Sequence, residues 1–123
     1  MAVSLNSIRH RFDRAGIVLS GLCALHCVIG LVLVTSLGVG GGLWLAPGLH
    51  EAGLALALVI GAISLGLGAL RHGNRLPLAV GTAGLSLMAL ALAVSHGPAE
   101  AGLTIAGVAL VAFAHIANLR HAR

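Results

Sequence analysis

Four stretches of this 123-residue chain, 15–37, 52–70, 76–94 and 101–119, contain no charged side chain. Each is close to the roughly 20 apolar residues that a helix needs to cross about 30 Å of hydrocarbon. In lipid a backbone must satisfy its own hydrogen bonds, and a helix does so within one segment, so repeated stretches of this length dictate membrane helices. Composition agrees, with 59% hydrophobic and 8% charged residues against about a quarter charged in ordinary globular domains. The sequence therefore predicts an all-α integral membrane protein: a four-helix transmembrane bundle forming a single domain over 1–123. A cleaved secretory signal is the competing reading of the N-terminus, because Arg9, Arg11 and Arg14 precede an apolar run. That run is too long for a signal core, and no convincing small-x-small site follows it.

All seven basic residues are arginines. Arg9, Arg11 and Arg14 precede the first stretch, Arg71 and Arg75 separate the second from the third, and Arg120 and Arg123 follow the fourth. With four spans these places share one side, and the positive-inside rule makes that side, with both termini, cytoplasmic. The net charge of +4 thus reports topology and contact with anionic headgroups, and nucleic acid is excluded as a partner. Pro47, Pro77 and Pro98 stand just before or at the starts of spans two, three and four, where a missing N–H costs least. Asp13, Glu51 and Glu100 read as acids favoured by helix N-terminal dipoles. His10, His72 and His121 read as helix-end polarity beside arginines, and Trp44 as an interfacial anchor. His50 and His96 flank the arginine-free loops and read as solvated, with an outer cation-collecting site as the alternative.

EAGL at 51–54 recurs at 100–103 and LRH at 70–72 recurs at 119–121, both displaced by 49 residues. The shared offset suggests a duplicated hairpin. Gly16, Ser20 and Ala24, and Ala57 and Gly61, fall at helix-packing intervals; close contact within the bundle and an oligomer face both fit them.

The stretch SGLCALHC, 20–27, holds both cysteines of the chain. At about 100° per residue Cys23 and Cys27 lie within about 40° of each other. His26 lies on the same side, one turn from Cys23. Counted from Arg14, the cysteines lie roughly 13 and 19 Å along the helix, near the middle of the hydrocarbon. Cysteine alone is often a small buried hydrophobe, but a histidine at that depth is costly and faces a partner or a pathway. A disulfide is disfavoured, since i,i+4 Cβ atoms stand about 5–6 Å apart and a disulfide needs about 3.8 Å. Thiolates select soft cations, and a bound cation deprotonates its thiol. A structural zinc site needs four ligands, more than this helix offers. His115, at nearly the same depth in the fourth span, supplies another donor or else hydrogen-bonds a neighbouring helix. The candidate metal ligands are therefore Cys23, Cys27, His26 and His115. No phosphate-binding loop, working carboxylate pair or serine–histidine–acid set is present, so neither an enzyme nor a permanently bound cofactor is expected. Haem ligation by His26 and His115 ranks last, because the first span lacks aromatic lining.

The pattern D-R-x-G-x-x-x-S-x-L-C-x-x-H-C, formed by Asp13, Arg14, Gly16, Ser20, Leu22, Cys23, His26 and Cys27, with the closing H-x-x-N-x-R at His115, Asn118 and Arg120, resembles the MerC family of mercury-resistance inner-membrane proteins. The resemblance implies a multi-pass protein of the bacterial inner membrane that takes up Hg(II) or another soft cation on the Cys23–Cys27 pair. His26 would accept a proton or serve as an adjacent ligand, and release would be to a cytosolic mercuric reductase or small thiols. MerC proteins of mercury operons have a second, C-terminal cysteine pair that NLRHAR lacks, so a protein thiol relay to the cytosol would miss its last stage. The alternative from another class is a non-transporting thiol or redox-sensing bundle, or an accessory to a larger membrane complex.

Overall fold

The computed structural model describes residues 2–37, 47–95 and 97–121. Four helices follow in order, α1 Ala2–Leu37, α2 Pro47–His72, α3 Leu76–Ala93 and α4 Pro98–His121, with no strand among the described residues. All four are long and apolar enough to cross a membrane, so the chain is a multi-pass membrane protein. The prolines act as expected: Pro47 and Pro98 open α2 and α4, and Pro77 lies in the first turn of α3. Gly73, at φ +69°, ends α2; its N–H bonds the Ala69 carbonyl at 3.1 Å in the left-handed conformation that glycine adopts cheaply. The Asn74 side chain accepts from the Leu76 N–H at 3.0 Å, an Asx turn that leads the chain into α3.

The helix α1 starts well before the first charge-free stretch. Its early turns are amphipathic: Arg11 and Arg14 are exposed, whereas Arg9 and Asp13 are 2% and 0% exposed. Asp13 is therefore not an acid at a helix start, and its role lies in the interior. Glu51 is exposed and lies beyond the first turn of α2, so the dipole reading fails there as well. Trp44, His96 and Arg123 lie outside the described residues.

Asn6 bonds Arg71 at 3.0 Å and Asn74 bonds His121 at 2.7 Å. These contacts gather the start of α1, the α2–α3 turn and the end of α4 at one end of the bundle, which is the arginine-bearing end. α4 packs against all three other helices, most extensively against α3. At the α3–α4 crossing a Cβ on Gly84 would stand 2.6 Å from the Gly107 carbonyl oxygen, and one on Gly107 would stand 2.7 Å from that of Gly84. The backbones meet there because neither residue has a side chain, which is how membrane helices associate without a hydrophobic drive. Ala57, Met88, Val108 and Val111 form the apolar centre, with Leu19, Cys23, Ala24, Leu54 and Leu85 packed on it. Gly16, Ser20, Ala57 and Gly61 are all buried within the chain, so the small-residue intervals serve intramolecular packing. Leu22, Leu25, Val59, Leu70 and Phe113 face outward, as a lipid-solvated surface requires.

Gly107→Ala forces a Cβ onto an immovable carbonyl and should lower stability by about 1–3 kcal/mol in equilibrium unfolding from mixed micelles. Gly102→Ala, with open space around its Cβ, should be neutral or stabilise by up to about 1 kcal/mol.

Candidate metal centre

At the end of the bundle opposite the arginines, three helix segments converge. α1 supplies His26 and Cys27, α2 supplies His50 one turn after Pro47, and the first turn of α4 supplies Glu100. The donor atoms of His26, Cys27 and His50 all lie within 4.8 Å of one another. Cys27 Sγ stands 3.8 Å from His50 Nε2, and His50 Nδ1 stands 3.1 Å from Glu100 Oε1. The His26 and His50 rings meet edge to face, with centroids 5.2 Å apart. Cys27 and Glu100 are each 7% exposed. His50 is thus not a solvated loop residue: Pro47 starts the helix early enough to carry its ring inward. Glu100 does sit in the first turn of its helix, as the dipole reading requires, and its carboxylate lies at ion-pair distance from the His50 ring on the side away from Cys27. One thiolate and one carboxylate together would balance a divalent charge, which lowers the cost of burying it.

Cys23 stands beside this group. Together with His26, His50, Leu54, Met88 and Thr104 it lines a cleft of about 180 Å³. A Cβ on Gly53, one turn after His50, would lie 3.6 Å from Cys23 Sγ, so the thiol rests against α2. The structure does not gather the Cys23, His26 and Cys27 donors expected from the sequence into one group. His26 and Cys27 join His50, whereas Cys23 faces the same cleft from the next turn.

His115 belongs to a different cluster, nearer the arginine end. Asp13, Ser64, His115 and Asn118 are all 0% exposed. Asp13 Oδ1 accepts from the Ser64 hydroxyl and from His115 Nδ1 at 2.8 Å. Asn118 Nδ2 spans both carboxylate oxygens, at 3.2 and 2.9 Å, and also donates to the Ser64 carbonyl at 3.1 Å. Asn118 Oδ1 is 2.9 Å from His72 Nε2, and His72 Nδ1 accepts the Asn74 N–H at 3.2 Å. With Asp13 Oδ1 as the acceptor, the bonded Nδ1 of His115 carries the hydrogen. Close approach makes this possible: a Cβ on Gly16 would overlap the His115 ring. His115, named from the sequence as a candidate metal ligand, makes the hydrogen bond to a neighbouring helix that was its alternative reading, and its partner is Asp13 of α1. Sequence reasoning passed over Ser64, read Asp13 as a helix-end acid, named Asn118 only within the family pattern, and gave His50 an outer cation-collecting role only as the alternative to a solvated one. The available signal was the run Arg9, Asp13, Gly16, Ser20, Cys23, Cys27 and Gly30, spaced by three and four residues along one inward stripe of α1.

Four membrane-crossing helices with imidazole, thiol and carboxylate groups drawn together between them define a small multi-pass membrane protein carrying a cluster of metal-ligating side chains. The chain belongs to the MerC mercury resistance protein family, whose match extends over residues 13–120. That match begins at Asp13 and takes in every residue of both clusters. No curated protein and no solved structure matches the chain.

Asp13→Ala would remove the shared acceptor of Ser64, His115 and Asn118, of which Asn118 keeps the Ser64 carbonyl, at about 1–3 kcal/mol for each group left unsatisfied. A loss of at least ~3 kcal/mol is expected in micelle unfolding, with a smaller loss for Ser64→Ala. An Asp13→Ala protein as stable as wild type would contradict the assignment.

Proposed function

We propose that the protein carries Hg(II), or a similarly soft cation, across the bacterial inner membrane toward the cytosol, without chemical change to its cargo. The observation that carries this reading is the convergence of His26, Cys27 and His50, within 4.8 Å of one another, in a chain of the MerC mercury resistance family. Soft thiolate and imidazole donors suit such a cation, and oxygen-seeking ions such as Mg(II) do not find their preferred ligands there. By the positive-inside rule the arginine-bearing end faces the cytoplasm, so the His26–Cys27–His50 end faces the periplasm and captures the cation. Cys27 takes it as thiolate, releasing its proton to water in the cleft, with His26 and His50 completing the shell. Cys23, one turn further in and on the same cleft, takes over as the second thiolate. The i,i+4 spacing of about 5–6 Å that prevents a disulfide suits two sulfurs sharing one cation. Release at the arginine end is to small cytosolic thiols or a mercuric reductase.

Cells expressing wild type should accumulate Hg(II), and Cys27→Ala should reduce accumulation about tenfold, equivalent to ~1.4 kcal/mol, at equal membrane content of protein. Glu100→Gln keeps the shape of the site but removes the charge behind His50, and should weaken Hg(II) binding by about tenfold in titrations of purified protein. Undiminished accumulation by the Cys23→Ala/Cys27→Ala double variant would reject the carrier reading and leave the thiol-sensing or accessory role.

A further inference from the structure

The interior of the bundle holds one more imidazole, that of His115. His115 is 0% exposed, its Nδ1 is held by Asp13, and its Nε2 is buried without a hydrogen-bond partner. Since Nδ1 carries the hydrogen, Nε2 of the neutral ring carries the lone pair. That nitrogen lies against Gly16, where a Cβ would overlap the ring. Cys23 and His115 both line a void of about 10 Å³ between α1 and α4, together with Gly16, Ser20 and Met88.

We propose that Cys23, His115 and Asp13 form an inner station for the soft cation, distinct from the outer His26–Cys27–His50 group. This rests on the carrier reading and deepens it. Both stations pair a thiol with a histidine that has a buried carboxylate near its other ring nitrogen: Cys27 with His50, where Glu100 lies 3.1 Å away, and Cys23 with His115, which Asp13 hydrogen-bonds at 2.8 Å. At each, thiolate and carboxylate balance the two charges of the cation, which is what a mid-membrane stop requires. As Cys23 sulfur takes the cation its proton leaves to water in the outer cleft, and the Cys27 thiolate that gives the cation up regains a proton from the same water. The cation then passes from Cys23 toward Nε2 of His115, with Asp13 holding the ring in place.

The test uses the full-length Cys27→Ala protein in micelles, labelled with 15N at histidine, and Hg(II) as the probe. One equivalent should shift the His115 Nε2 resonance while Nδ1 keeps its hydrogen bond to Asp13. A resonance that stays in place would mean that the void holds only a water, and would overturn the proposal. In the same background His115→Gln should let about tenfold less glutathione strip the Hg(II), or ~1.4 kcal/mol; an unchanged glutathione requirement would also overturn it. The outer group is read separately in the Cys23→Ala protein, where His50→Ala should weaken Hg(II) retention. Failure there, with the His115 shift intact, would reject the outer capture site and leave the inner station standing.

Discussion

The buried carboxylate of Asp13 fixes how three of the four helices sit against one another. Lipid tails are as apolar as leucine, so no hydrophobic force drives membrane helices together; packing and interhelical hydrogen bonds set the register. Asp13 on α1 collects Ser64 of α2 and both His115 and Asn118 of α4, and Asn118 passes the network on to His72. An ionised group at this position is tolerated only with its lone pairs occupied, which makes the arrangement nearly all-or-none. Once α1, α2 and α4 are keyed there, the rise of α1 places Cys23 about 15 Å and Cys27 about 21 Å further along. That is where the opposite ends of α2 and α4 bring His50 and Glu100.

The polar groups of the bundle thus have two tasks. Near the arginine end they hold helices together, and near the other end they present donors to a cleft. Cys23 connects the two regions, since it lines both the outer cleft and the inner void. On the carrier reading, a cation moving between donors spaced along one helix face would never stand without a thiol or imidazole within reach. In a medium where an unpaired charge is so costly, a chain of weak stops is a more workable route than one tight site.

Much of this was legible in the sequence because the bilayer leaves few options. Charge-free stretches gave four helices, and prolines marked their starts. What was lost came from ending the first span at the arginines. Arg9 and Asp13 look like flanking charge in a linear reading, yet the helix continues through them and turns them inward while Arg11 and Arg14 face out. The spacing of three and four from Arg9 to Gly30 held that information. His50 was misplaced by a related error: the helix was begun at its first uncharged run, although Pro47 already marked the first turn. His115 was found by its depth in the membrane. Its partner Asp13, 102 residues away, was beyond the reach of local pattern, because only the packing of α1 on α4 joins them.

The account stands or falls on whether this chain alone moves a soft cation through a bilayer by way of its α1 thiols. The direct measurement is loading of radioactive Hg(II) into vesicles reconstituted with the purified protein and filled with glutathione as acceptor. Saturable loading above protein-free vesicles, sharply reduced when either Cys23 or Cys27 is replaced by alanine and lost when both are, is the predicted result. Loading by the cysteine variants at the wild-type rate, or none above protein-free vesicles, would contradict it.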